Sequence, residues 1–248
     1  MPIQNRSFMG KGTIYIRERG STEGLLTLGN CSGFDLAFNT DKKEQKDYES
    51  AGGALVASDS RISSVTGSVT ALSFHSRNLA LALRGLVNVI AGGAQVAEPH
   101  VAYADSLVPF DFLPDKSQAI TVTSVGGTVT YVAGVDYVLK NSGIRIVDTG
   151  AIADASTIEV NYTSENQYSI EGLTVSGKEY ELVFDGLNEA NTGKAVRLTN
   201  HKVTITPTQA LAMIADDYGE LPLEFDILKD ETKDGSTESQ FVKIEITQ

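Results

Sequence analysis

Apolar and polar residues alternate with a period of two along much of this chain, the spacing of half-buried β-strands. Phe34, Leu36 and Phe38 alternate with Asp35 and Ala37. Tyr180, Leu182 and Phe184 alternate with Glu179, Glu181 and Asp185, and Leu223, Phe225 and Ile227 with Glu224 and Asp226. Each segment offers one apolar face to a core and shows an acidic face to water. Residues 12–17, 65–74, 196–205 and 241–247 predict further strands.

Two segments carry a helical signature. Leu79, Leu83, Leu86 and Ile90 fall on one helix face, with Ser76 in place as the N-cap. Gly85 either interrupts this helix, at a cost of about 1 kcal/mol, or ends a shorter one. A second, short helix is predicted from Thr206, with Pro207 at its first position and Gln209 completing a capping box. Asp216 and Asp217 oppose the helix dipole at its far end.

Two stretches depart from this pattern. Residues 41–49 form a dense mixed-charge run, followed by Gly52-Gly53 and little periodicity until Val65. The run reads as a long loop, and long ordered loops usually serve function. Lys42, Lys43 and Lys46 interleave there with Asp41, Glu44, Asp47 and Glu49, around Tyr48, which suits docking onto a surface of mixed charge. The second departure is a block of short alternating strands between residues 120 and 162, with Gly126-Gly127 and Asn141-Ser142-Gly143 as hairpin turns. It reads as a β module, residues 100–169, inserted into a parent domain of residues 1–99 and 170–248.

Composition narrows the function. The 248 residues are 41% hydrophobic and 21% charged, enough to bury a core, and the formal charge is −12. Such acidity argues against tight nucleic-acid binding, which requires clustered cations. No stretch resembles a secretory signal or a membrane span, so a soluble protein made in the cytoplasm is expected. Gly29-Asn30-Cys31-Ser32-Gly33 has the outline of a nucleophile elbow, but the residues after it alternate like a strand instead of a helix. His75, His100 and His201 share no metal-ligand spacing. Asp230, Thr232 and Asp234 resemble half a calcium loop, but Phe241 stands where the bidentate Glu belongs. No catalytic residue, metal site or cofactor is expected.

Three runs together resemble the tail tube (major tail) proteins of bacteriophages with long non-contractile tails. The first is Asn78-Leu79-Ala80-Leu81-Ala82-Leu83-Arg84-Gly85 after an alternating Ser/Thr/Val strand. The second runs from Phe184-Asp185-Gly186 to Gly193-Lys194, and the third from Ile214 to Phe225, leading into Leu228. Their order along the chain also fits, over about residues 10–95 and 170–247.

The resemblance implies a mainly-β fold: a tail-tube-type β-sandwich or barrel with a flanking α-helix, plus an inserted small β-sandwich (Ig-like) module decorating the outside. It implies hexameric rings of this chain stacked into a hollow tube, a virion component through which genomic DNA passes without specific binding. Tape-measure, tail terminator and baseplate proteins are the further partners it implies. The long loop of residues 40–61 would reach the neighbouring ring, ordering as it docks, and residues 1–11 are a second candidate for that contact. Asp35, Glu179, Glu181, Asp185, Glu224 and Asp226 would include lumen-facing groups that repel DNA. The alternatives are a surface-displayed or secreted adhesin or carbohydrate-binding β module, an enzyme using Cys31, and a tail terminator or baseplate ring of the same fold.

Overall fold

The alternating segments become strands, as their one-sided hydrophobicity requires. The computed structural model describes residues 7–247, and the chain divides into two compact units, residues 1–87 with 170–248, and residues 88–169. The first crossing thus falls at 87/88, not at 99/100. Residues 94–99 belong to the inserted unit because they pair with its strands.

In the first unit the strands before the crossing are β1 (Gly10–Glu18), β2 (Leu26–Thr27), β3 (Cys31–Lys46) and β4 (Leu55–Ala71). Helix α1 (Ser76–Ala82) and β5 (Leu86–Ile90) follow. The inserted unit contains β6 (Ala94–Ala102), β7 (Leu107–Pro109), β8 (Thr121–Ser124), β9 (Tyr137–Leu139), β10 (Gly143–Ile146) and β11 (Ser156–Thr163). β12 (Gln167–Glu171) pairs with β5 where the chain crosses back. The first unit then resumes with β13 (Tyr180–Asn188), β14 (Lys194–Thr206), β15 (Leu221–Ile227) and β16 (Val242–Ile246).

One antiparallel sheet, in the order β2-β1-β13-β14-β15-β4-β3, builds the first unit. It forks at β14, whose residues Val203–Thr206 pair with β15 and whose residues Val196–Asn200 pair with β16. The sheet curls so that Phe34 of β3 lies 5.8 Å from Phe184 of β13 and 6.4 Å from Phe225 of β15, ring centre to ring centre. Ile14, Ile16, Val69, Leu182, Val203, Leu223 and Phe225 fill the interior. Gly67 lets the Phe225 ring lie flat on the neighbouring strand, since a Cβ there would stand 2.4 Å from Phe225 Cζ.

The inserted unit is two small antiparallel sheets, β7-β10-β9 and β6-β11-β8. They share a core of Val108, Val122, Tyr137, Ile144, Ile146, Ile158 and Val160. The whole chain is therefore mainly β.

The first helix forms in its shorter version, and the second does not form. The first helix stops after Ala82, and Leu86 and Ile90 belong to a strand instead. Gly85 N–H bonds back to Ala80 O and Arg84 N–H to Leu81 O, with Arg84 at φ 47°, a helix-ending turn that leaves Gly85 against the Glu171 carbonyl where no Cβ fits. His75, not Ser76, occupies the N-cap position. The second helix does not form: Thr206 ends β14, and Thr208 N–H bonds to Ala82 O at the end of α1, 2.8 Å away. A tertiary partner claims the segment that the capping box would have organised.

Candidate functional site

Register places the acidic residues. β3, β4 and β15 pair so that Asp35, Ser68 and Glu224 form one row, and Ala37, Thr66 and Asp226 the next. Their neighbours in sequence, Phe34, Val69, Leu223 and Phe225, point into the core, so the two rows share the opposite face. β14 continues it with Thr206 opposite Glu224 and Thr204 opposite Asp226. All of these except Thr204 line a shallow depression of about 370 Å³. Among the described residues no ion pair reaches Asp35, Glu224 or Asp226.

Glu181 and Asp185 lie on the same face of the sheet and Glu179 just precedes β13, all three in different company. Glu181 stands opposite Arg17 and forms an ion pair with it. Glu179 pairs with Lys202 at 2.9 Å. Asp185 lies between Thr13 on β1 and Arg197 on β14, while Arg197 and Lys243 both hold Glu245 below the ordinary carboxylate range. The six acids therefore do not form a uniform acidic lining. Glu181 and Glu179 are matched by cations of β1 and β14, whereas among the described residues Asp185 and the acids of the β15–β4–β3 part form no ion pair.

The expected long loop at residues 40–61 is corrected as well. β3 and β4 continue as a paired hairpin, with Asp41 opposite Arg61, Lys43 opposite Asp59, Glu44 opposite Ser58 and Lys46 opposite Leu55. All seven residues Thr40–Lys46 are exposed, as are those from Leu55 to Ile62. Neither face is covered, so no apolar alternation marks these strands in sequence. At about 3.4 Å per residue the arm projects roughly 24 Å beyond Asn39. Its tip is folded by Asp47, whose carboxylate takes the Ser50 hydroxyl and the Glu49 N–H, which together hold it below its ordinary pKa. Lys42 and Glu44 form an ion pair along the strand, and Tyr48 is 89% exposed. Of the second candidate contact, residues 1–6 lie outside the described residues, and Gly10 and Lys11 open β1.

The remaining motifs resolve into structure. Cys31 begins β3 instead of a helix, and burial pushes its thiol up, away from a reactive thiolate. Asp230 is buried and takes two hydrogen bonds from Arg19, at 2.8 and 3.2 Å, which hold it far below the usual carboxylate range. Asp234 accepts the N–H groups of Ser236, Thr237 and Glu238.

One cluster escaped sequence reasoning, in the inserted unit. Glu98 and His100, both on β6, meet Asp111 and Tyr162. The signal was present as Glu-x-His on a strand, which puts both side chains on one face, but it lacks a helical His pair. Burial alone would push the Glu98 carboxyl up; the Asp111 N–H, the Tyr162 hydroxyl and His100 outweigh it and hold the pKa down.

Family membership follows from the full length of this arrangement, since the match spans residues 7–245. The chain belongs to the family described as protein of unknown function UCP028589. No curated protein matches it. Among the described residues no helix is long and apolar enough to cross a membrane.

Proposed function

We propose that this protein is the structural subunit of a bacteriophage tail tube, assembling as hexameric rings that stack into a hollow conduit for DNA. The observation that carries the reading is the β3–β4 arm. An isolated two-stranded hairpin is marginal in water, yet this one extends far from the core with Phe38, Leu55, Val56 and Ile62 between 51 and 64% exposed. Such an arm makes physical sense as a part that a neighbouring subunit covers. Its mixed charges, Lys42, Lys43, Lys46 and Arg61 against Asp41, Glu44, Asp47, Glu49 and Asp59, specify one docking register over others.

The acidic rows on β15, β4 and β3 suit the wall of the conduit. Asp35, Glu224 and Asp226 repel phosphate and offer no counterion release. In this reading the protein is a virion component without catalytic activity, its two-sheet insert is the Ig-like accessory module, and its partners are copies of itself together with tape-measure, tail terminator and baseplate proteins.

Negative-stain electron microscopy of the concentrated protein tests the reading. Hollow six-fold rings or stacked tubes are expected. A variant lacking residues 41–61 should fold yet fail to stack. Monomers that stay inert even beside tail initiation complexes would overturn the proposal in favour of a binding module, and single rings that never stack would point to a terminator or baseplate ring. In an assembling background, Asp35→Lys with Glu224→Lys should impede DNA passage; unimpaired passage would remove the lumen assignment.

A further inference from the structure

We propose that Glu98, His100 and Asp111 form a binding site for a divalent transition-metal ion, zinc being the ion their chemistry suits best. One ligand atom from each lies within 4.8 Å of the others. Zinc held tetrahedrally at about 2.0–2.2 Å needs donors roughly 3.4 Å apart, a distance that small side-chain rotations here can reach. One imidazole and two carboxylates are a borderline set that favours zinc over calcium or magnesium, which prefer oxygen alone.

The surroundings orient these donors before any ion arrives. The Tyr162 hydroxyl donates to Glu98 Oε2 at 2.7 Å, leaving Oε1 turned toward His100 Nε2, 2.5 Å away. Tyr162 is fixed in turn by the Phe112 N–H at 3.1 Å and by the Phe110 ring, whose centre lies 4.6 Å from its own. The opposite neighbour of Phe110 is His100, 6.0 Å away and near-parallel, so one aromatic stack sets both ring planes. Asp111 donates its N–H to Glu98 Oε1 at 2.9 Å, and its exposed carboxylate is the open side through which an ion enters.

Glu98 is nine-tenths buried while Asp111 is exposed, an arrangement with two sheltered ligands and one mobile one. On binding, the metal takes the place of the Nε2 hydrogen between His100 and Glu98, and that ring proton moves to Nδ1. The two carboxylates balance the ion's two charges. Three protein ligands leave a fourth position for water. The bound ion would clamp the Phe110–Phe112 segment to β6, since Asp111 comes from the one and Glu98 and His100 from the other.

Isothermal titration of the full chain with zinc chloride in chelator-free buffer tests the site, with cobalt absorption reporting its coordination. One ion per chain is expected. His100→Ala should abolish binding. Asp111→Asn, at an exposed position that folding does not depend on, should weaken it at least about tenfold, and Tyr162→Phe, which removes the hydroxyl that positions Glu98 and also receives the Phe112 N–H, by about 10–100-fold. Absence of saturable binding up to about 1 mM zinc (a concentration far above that of any ordinary protein zinc site) would overturn the proposal. So would one-site binding that Asp111→Asn leaves unchanged, because the ion would then sit elsewhere. The Asp111 result decides the matter if His100→Ala does not fold.

Discussion

Asn200 offers the sharpest test of the core. It lies on β14 between Leu182 of β13 and Val242 of β16, is fully buried, and has no hydrogen-bond partner at either Oδ1 or Nδ2. Burying an amide without partners costs about 1–3 kcal/mol, and replacing it by an apolar group of the same size returns that penalty. Leucine keeps asparagine's γ-branched outline of four side-chain heavy atoms, though it is bulkier by its methyl hydrogens, and it meets apolar neighbours on both adjoining strands. Asn200→Leu should therefore stabilise the first unit by about 1–3 kcal/mol, against the usual direction of core substitutions. In urea, with a slope of about 2 kcal/mol/M, this is a midpoint shift of roughly 0.5–1.5 M at unchanged slope. For a unit of about 165 residues it is also a rise in Tm of roughly 2–4 °C per kcal/mol. Denaturation followed by circular dichroism, with hydrogen exchange of the β14 amides, measures it. A midpoint that stays or falls at unchanged slope refutes the reasoning, for the amide would then be satisfied in the native state.

Gly67→Ala should cost about 1–3 kcal/mol by driving Phe225 off its position, and Phe225→Leu in the same chain should recover part of the loss in thermal melts. Arg19→Ala should cost about 3 kcal/mol at neutral pH, because it leaves Asp230 buried without its cation. Since Arg19 lowers the folded pKa of Asp230, the pair's contribution is complete above the ordinary carboxylate pKa of about 3.9 and is lost as pH falls below it. The stability difference between wild type and variant should therefore shrink toward pH 2; a difference that holds constant would contradict this account. Removing residues 41–61 should leave the stability of the first unit within about 0.5 kcal/mol, since the arm covers none of the core, and equilibrium denaturation would show it. Limited proteolysis should cut the free chain at the exposed tip, residues 47–54, and spare it in assembled tubes; equal cutting in both states speaks against docking of the arm.

The one-sided strands were legible in the sequence because their burial is one-sided. Phe34-Asp35-Leu36, Tyr180–Asp185 and Leu223–Ile227 each sit with one face on the core, so the period of two reports both their existence and which side chains are polar. The β3–β4 arm has no buried face, and a strand exposed on both sides leaves no periodic trace. The false second helix shows the opposite failure. Thr206, Pro207 and Gln209 satisfy every local rule for starting a helix, but the N–H of Thr208 is worth more to the open end of α1, a partner more than a hundred residues away. Which acids keep company with cations was equally out of reach, because Arg17, Lys202 and Arg197 meet them through strand pairing. Glu98 and His100 share one face of β6, but Asp111 joins them only through a loop return. The sequence alone thus determined the mainly-β class and the polar side of each core strand, since these depend on the local alternation of solubility. Tertiary structure decided the arm, the helix ends and the grouping of charges, since these depend on which distant backbone and side-chain groups satisfy one another.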